Sequence, residues 1–154
     1  MDKWIKKKII KNIFIEGPIT SNFISKSIES HKTKKTIGAH ELFLGQVRSD
    51  NINGKEVIAI DFTAQEKMAN KICHDIKESI FDKFPIYCMH IYHSLGKIKA
   101  GDICVFVFIS GSHRSDIYGL LKHVINEIKK KAPIFGKEIF DDESHQWKVN
   151  RNHD

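Results

Sequence analysis

The stretch Ile103-Cys-Val-Phe-Val-Phe-Ile-Ser110 decides the fold, because it is an almost unbroken apolar run of strand length. A strand that is apolar on both sides predicts a central position in a sheet covered on both faces. It is followed directly by the polar turn Gly111-Ser-His-Arg-Ser-Asp116 and then by a segment of helical periodicity. This succession predicts a sheet with helices packed on it.

The segment after this turn has the spacing of one amphipathic helix. Its apolar side chains recur at helical intervals and form a stripe: Ile117, Leu120, Leu121, Val124 and Ile128. Ser112 or Ser115 is predicted to cap the start of the helix. The helix is predicted to stop near Lys131, because the residue before a proline is pushed away from helical angles and Ala132-Pro133 follows.

The rest of the chain carries short strands and helices in a mixed order. The patterns predict strands over residues 12–15, 37–47, 56–63 and 86–93, and helices over 21–29 and 65–82. The turn formers of 48–54 predict a hairpin between the strands on either side, and 96–101 has the composition of a turn-rich link. Ile58, Ile60 and Phe62 are predicted to share one face of their strand. This order predicts an α+β fold with mixed or antiparallel sheets and packed helices.

Composition predicts a globular protein of one domain. The chain has 154 residues, of which 41% are hydrophobic and 29% charged, and its formal net charge is +6. No apolar run approaches the roughly 20 residues of a membrane span, and the run at 13–15 is too short for a signal peptide. We therefore expect a cytoplasmic protein that makes no membrane contact. The charge favours an anionic partner, and nucleic acid is the weaker choice because no RNP-like or zinc-finger motif accompanies it.

Cysteine and histidine spacing predicts no metal site. Cys73, Cys88 and Cys104 lie far apart and contain no Cys-x-x-Cys pair, which gives no support to a disulfide framework or a zinc motif. None of the nine histidines shows His-x-x-x-His spacing with a suitable acid. We therefore predict neither a catalytic metal nor a cofactor.

Three basic positions adjoin predicted turns or helix ends. His113-Arg114 follows the buried strand, where free N–H groups and an arginine fork favour an anion; the alternative is a solvated surface turn. Arg48 lies at the mouth of the predicted hairpin, where it is either solvated or part of the same anion site. Lys129 lies at the border of the apolar stripe. Partial desolvation there produces a reactive amine, and the alternative is a helix-end lysine that stays in water.

A set of short motifs runs in one order between residues 37 and 149. They are Gly38-Ala39, Phe43-Leu-Gly-Gln-Val-Arg48, Asn51, Gly54, Met68-Ala69, His93, Gly96, Gly101-Asp102, Ser112-His-Arg-Ser115, Ile128-Lys129, Ala132-Pro133-Ile-Phe, Lys137-Glu138 and Trp147. This series resembles the large, catalytic subunit of molybdopterin synthase. Residues 1–36 match that family as a strand and a helix of about the expected length.

The resemblance implies a sulfurtransferase of molybdenum cofactor biosynthesis. Such proteins convert cyclic pyranopterin monophosphate to molybdopterin by inserting the two sulfurs of its dithiolene. The sulfur arrives as the C-terminal Gly-Gly thiocarboxylate of a small ubiquitin-like carrier protein, whose tail enters a pocket of the large subunit. Two large subunits form a homodimer with one carrier at each end, a heterotetramer, and each pocket borrows residues across the dimer interface.

The resemblance also implies an α/β-hammerhead-like fold and a set of site residues. Lys129 matches the family's essential lysine, and Arg48, His113 and Arg114 match positions that hold the anionic substrate. The further substrate-binding residues that it implies are Phe43, Glu138 and Arg151, the last matching an arginine lent across the dimer. In domain terms, residues 1–36 form an N-terminal strand-helix segment of the same domain, 37–150 the catalytic domain and 151–154 a tail.

The clearest departure from the family concerns its second lysine. The usual Pro-Ile-Trp-Lys-Lys-Glu is here Pro133-Ile-Phe-Gly-Lys-Glu138, so that Gly136 stands where the first of these lysines is expected. We predict that Lys137 is the second catalytic residue, brought into the site by a backbone turn at Gly136. The alternatives are a catalytically weakened subunit that still binds the carrier and, less favoured, a basic nucleic-acid-binding domain.

Overall fold

The structure, a computed structural model, describes residues 9–149. The strands are β1 (Phe14–Glu16), β2 (Ala39–Gln46), β3 (Asn51–Ile52), β4 (Lys55–Ala64), β5 (Ile86–Lys99), β6 (Ile103–Gly111), β7 (Ile134–Phe140) and β8 (His145–Trp147). The helices are α1 (Ser21–Glu29), α2 (Glu66–Lys83), α3 (Arg114–Ile117) and α4 (Leu120–Lys131). Among these residues, no helix is long and apolar enough to cross a membrane.

The sheet confirms the predicted α+β class and the central place of the apolar strand. Its order is β2-β6-β5-β4-β7-β8, with β1 beside β5 and β3 beside β4. The pairings are antiparallel except for the parallel pair β1–β5. β6 lies between β2 and β5, and its residues Phe106–Ile109 are fully buried. A strand in that position requires apolar side chains on both faces, which is the pattern of its sequence.

Helices cover both faces of the sheet around β6. On one face, buried side chains of α2 and α4 pack against β5 and β6 in the largest apolar cluster, which includes Ile76, Val124 and Val107. On the other face, side chains of α1 and the segment before it pack against Phe106 and Phe108. A third cluster lies under β4 and β7 and includes Cys104. The helix α1 confirms the prediction over residues 21–29, and the Oγ1 of Thr20 caps it by accepting from the Phe23 N–H.

Two predicted connections are wrong. The segment 96–101 is not a link, because β5 continues to Lys99. The strand changes partner instead: residues up to His93 pair with β6, and those from Gly96 onward pair with β4. Gly96 has φ of +87°, a conformation that glycine adopts without the clash of a Cβ. The predicted hairpin between 37–47 and 56–63 is also absent, because β2 pairs with β6 and β4 pairs with β5 and β7.

A smaller hairpin replaces the predicted one. β3 pairs with the start of β4 through a turn at Asn53-Gly54, where both residues have positive φ. Asn-Gly in this geometry matches the twist of a two-residue hairpin. The face predicted for Ile58, Ile60 and Phe62 is wrong at its first member, because a register shift between Val57 and Ala59 leaves Ile58 40% exposed.

The helix predicted after β6 is two helices. α3 ends at Ile117, and α4 begins after Gly119, whose φ is +84°. The predicted serine cap is wrong, because Asp116 accepts the His113 N–H at 3.2 Å and closes the turn in its place. The predicted end at Lys131 is confirmed, and Ala132 is extended before Pro133 as expected. In α2, Met68 is 57% exposed although its spacing predicted a buried position.

Candidate active site

Lys129 lies in the last turn of α4, at the end of the sheet where β2 finishes and β6 begins. Its side chain is exposed in the single chain, in contrast to the partial desolvation considered from its spacing. The Cys104 thiol lies within electrostatic reach of this side chain. Burial raises the pKa of Cys104, whereas the ammonium groups of Lys148 and Lys129 lower it, which places both lysines within electrostatic reach of the sulfur.

Cys104 and Phe43 lie on the neighbouring strands β6 and β2. The Cys104 Sγ donates to the Gly45 carbonyl oxygen at 3.4 Å. Gly45 leaves room for its neighbours, because a Cβ there would lie 3.1 Å from the Cβ of Val105 and 3.4 Å from the Phe43 ring. Phe43 packs partly into the main apolar cluster, opposite Val107 in the strand register. The strand thus holds an aromatic ring next to the lysine end of α4.

Arg48 lies just beyond β2 at the same end of the sheet. Backbone bonds from Val47 to Asp102 and from Gly101 to Val47 fix the segment before it. The Arg48 side chain is 67% exposed and its Nη2 lies 3.3 Å from Asp50 Oδ2. It borders an open depression whose other lining residues include Ser49 and Glu56. An exposed guanidinium with a single weak ion pair retains most of its donors for an incoming anion.

The residues predicted near Gly136 lie on opposite faces of β7. Glu138 is only 6% exposed and accepts from Gln146 Nε2 at 3.3 Å. Gly136 shares the face of Glu138, since residues two apart in a strand point the same way. Lys137 points to the other face, in register with Asp61 on β4 and Trp147 on β8. The strand is regular at Gly136, so the backbone turn considered for Lys137 is absent.

A lysine that the sequence analysis missed lies opposite Gly136. The Lys148 N–H donates to the Gly136 carbonyl oxygen at 2.7 Å and continues the β7–β8 register of Lys137 with Trp147. Directly opposed residues in an antiparallel pair project from the same face. Lys148 therefore projects from the face that a lysine at position 136 would use, and it is near Cys104, as described above. Only the strand register could have revealed this, because Lys148 itself belongs to none of the motifs identified from the sequence.

His113 and Arg114 lie at the opposite end of the β2–β6 pair. They follow the end of β6, beside Ala39 at the start of β2, and both side chains are exposed. β2 spans eight residues, which at about 3.3 Å per residue separates its ends by roughly 23 Å. One chain therefore places Arg48 and Lys129 toward one end of the β2–β6 pair, with Phe43 three residues inside that end of β2, and leaves His113 and Arg114 at the other end. Arg151 lies outside the described residues.

Comparison with known proteins identifies the family to which this chain is similar. Residues 18–131 match the family described as MoaE protein. The molybdopterin synthase catalytic subunit of Homo sapiens is 34% identical over 118 residues, which cover 74% of this chain and 60% of that protein. The corresponding protein of Taeniopygia guttata is 34% identical over 119 residues, covering 74% and 73%. The chain spans 56% of the Rattus norvegicus relative, little more than half its length.

Solved structures have the same fold. Molybdopterin synthase from Staphylococcus aureus is 27% identical with a TM-score of 0.76, covering 92% of this chain and all of the other. A complex of subunits 1 and 2 of molybdopterin-converting factor from Helicobacter pylori is 21% identical, with a TM-score of 0.75 and 91% of each chain covered. Since the family match covers residues 18–131, well over half of the chain, the protein belongs to the MoaE family.

Proposed function

We propose that this chain is the catalytic subunit of a molybdopterin synthase. It inserts two sulfurs from a thiocarboxylated ubiquitin-like carrier into cyclic pyranopterin monophosphate and forms the dithiolene of molybdopterin. The observation that carries the proposal is the position of Lys129 and Arg48 toward the same end of the β2–β6 pair, in a chain of the MoaE family. The relatives named molybdopterin synthase catalytic subunit support it.

The substrate chemistry fits this end of the sheet. A phosphorylated pterin needs cationic donors, which Arg48 and the two nearby lysines supply. Opening the cyclic phosphate and replacing oxygen by sulfur need proton transfer and charge stabilisation, which a positioned lysine amine provides. Lys129 is the amine we assign to this step. Phe43 offers an apolar face for the pterin ring.

The distance between the two basic groups supports a site shared by two copies. His113 and Arg114 cannot reach a phosphate held at Arg48 of the same chain, because roughly 23 Å of strand lies between the ends. A symmetric dimer places the His113 end of one copy against the Lys129 end of the other. Arg151, which the resemblance implies is lent across the dimer, lies outside the described residues. The carrier at each outer end completes a heterotetramer.

For the second catalytic lysine, the strand register favours Lys148 over Lys137. Lys148 projects from the Gly136 face near Cys104, whereas Lys137 lies on the reverse face. Glu138, buried and held by Gln146, acts by positioning that face and not as an exposed substrate ligand. Lys137 remains a predicted catalytic residue that direct substitution tests.

A catalytically weakened, carrier-binding subunit is the second candidate. The observation that favours it is Gly136, where a Cβ would lie 3.0 Å from Ile60 Cγ2 and 3.3 Å from the Phe62 ring. A lysine is therefore poorly accommodated at that position in this chain. The basic nucleic-acid-binding alternative rests on the net charge alone. The cytoplasmic location and the division into 1–36, 37–150 and 151–154 likewise remain predictions.

A reconstituted assay separates the three functions. The full chain is incubated with a thiocarboxylated carrier and cyclic pyranopterin monophosphate, and molybdopterin is measured. Turnover by wild type supports the leading proposal. Carrier binding without turnover supports the weakened subunit. Salt-sensitive RNA binding without carrier affinity supports the third function and overturns the first.

A further inference from the structure

A histidine–cysteine cluster lies on the side of the sheet covered by α1, away from the Lys129 site. Cys88 and His90 are two residues apart on β5 and project from the same face. His31 follows α1 and its Nε2 lies 3.1 Å from the Nε2 of His90. The two imidazole groups and the Cys88 Sγ offer ligand atoms that all lie within 4.8 Å of one another.

The spacing suits a tetrahedral metal. Zinc binds histidine nitrogen at about 2.0–2.1 Å and thiolate sulfur at about 2.3 Å, so neighbouring ligand atoms are separated by roughly 3.3–3.6 Å. The observed separation of the two Nε2 atoms is close to that value. A small adjustment of the Cys88 side chain is sufficient to complete three ligands, and a water molecule can take the fourth position.

The tautomer of His31 is the one that a metal ligand requires. Its Nδ1 lies 2.7 Å from the Ser27 carbonyl oxygen, which can only accept, so the proton is on Nδ1. The Nε2 lone pair therefore points at His90. A histidine that donates one ring N–H to a backbone carbonyl and presents the other nitrogen is the usual arrangement at metal sites.

One ring nitrogen of His90 is unpaired among the described residues. Its Nδ1 is buried and has no hydrogen-bond partner among residues 9–149. The other ring nitrogen, Nε2, faces the Nε2 of His31 at 3.1 Å, and the ring lies beside Phe108 and Tyr92.

The chemistry of the three ligand groups determines the kind of ion that the site would bind. Two imidazoles and a thiol, without a carboxylate, suit zinc-class transition metals and not magnesium or calcium.

We propose that His31, Cys88 and His90 form a structural binding site for a zinc-class transition metal. The ion would connect the end of α1 to β5 and so fasten the N-terminal layer to the sheet. Binding releases the Cys88 proton to solvent and leaves the two histidines neutral. The spacing rules that predicted no metal did not detect this site, because His31 is distant in sequence from the Cys-x-His pair.

Zinc binding by the untagged full chain tests the proposal. After removal of bound metal with a chelator, zinc chloride is titrated and followed by calorimetry, and cobalt is added separately to observe thiolate-to-metal charge transfer. Variants Cys88→Ser and His31→Gln retain most of the side-chain volume. The control is His123→Ala, which changes an exposed histidine on α4.

We expect wild type and the control to bind one zinc per chain and to melt at a higher temperature with zinc. Each ligand variant should bind at least about 10-fold more weakly, since even an outer hydrogen-bond partner is worth roughly 10–100-fold. The cobalt charge-transfer band should vanish in Cys88→Ser. Absence of stoichiometric zinc in wild type, or equal binding by the folded ligand variants and the control, overturns the site.

Discussion

The two ends of the β2–β6 pair are built differently. At the Lys129 end, Phe43 packs into the core, Cys104 bonds to the Gly45 carbonyl, and backbone hydrogen bonds hold the segment before Arg48. At the His113 end, His113 and Arg114 stand on an exposed turn closed by Asp116. Packing within the chain therefore positions the Lys129 end, whereas the side chains of the His113 end are exposed.

This difference indicates which residues can contribute to the site only from a second copy of the chain. Side chains that the core positions can form half of a site in a single chain. Exposed side chains roughly 23 Å away can contribute to the same site only from another copy. Substitutions at the His113 end are therefore expected to affect activity without affecting stability, and substitutions on the core side of the Lys129 end are expected to affect both.

Loss of the Lys129 amine should have the largest effect. Lys129→Ala is expected to lower turnover by roughly 10²–10⁴-fold, the usual contribution of a general acid or base. Carrier binding and melting temperature should be unchanged, because the side chain is exposed. Single-turnover kinetics with preloaded carrier measure the effect, with Lys130→Ala as the control. Wild-type turnover in Lys129→Ala would remove it from the mechanism.

Loss of Arg114 should have the next largest effect. Arg114→Ala removes a charge-assisted bond worth roughly 1.5–3 kcal/mol, which corresponds to about 10–100-fold in kcat/KM. The change should be in substrate affinity, and the thermal unfolding curve should superimpose on that of wild type. Normal kinetics in this variant would show that the His113 end takes no part in the site.

The lysines on the two faces of β7 and β8 give a matched pair. Lys148→Ala is expected to lower turnover by about 10-fold, the size of one charge interaction near a protein surface. Lys137→Ala should leave turnover within about twofold, because its side chain points to the face opposite Gly136 and Lys148. The same kinetic assay compares them. A large loss in Lys137→Ala and none in Lys148→Ala would reverse the assignment and restore Lys137 as the second catalytic residue.

Substitution of Gly136 should change the packing, and with it the free energy of unfolding, and not the chemistry. Gly136→Ala places a Cβ 3.0 Å from Ile60 Cγ2, an overpacked contact that costs about 1–3 kcal/mol. Urea denaturation measures this loss, and Lys137→Ala serves as a control on the other face of the strand. Unchanged stability would mean that Ile60 and Phe62 move aside and that the position can accept a side chain.

The sequence predicted what is local and missed what depends on strand partners. The run 103–110 and the helix end at Lys131 were predictable because apolar periodicity and a proline act over a few residues. The extension of β5 was not, because it depends on an exchange of partner near Gly96. The hairpin 48–54 failed for the same reason, since both flanking strands pair elsewhere.

The same contrast between local signals and strand partners applies to the candidate site. The family motifs identified Lys129 and Arg48, which lie toward one end of the β2–β6 pair, and Phe43, three residues inside that end of β2. They also identified His113 and Arg114, yet spacing along the chain could not show that these lie at the far end of β2. Lys148 was missed because its place opposite Gly136 is a property of register between two strands.

Mixing two inactive variants tests most directly whether the site is shared between copies. Lys129→Ala and the double variant His113→Ala/Arg114→Ala, carrying different tags, are refolded together and the mixed dimers are quantified. In a mixed dimer, one pocket has both defects and the other has none. Random pairing is therefore expected to restore about one quarter of wild-type turnover. Mixed dimers that form but remain as inactive as their parents would contradict the shared site.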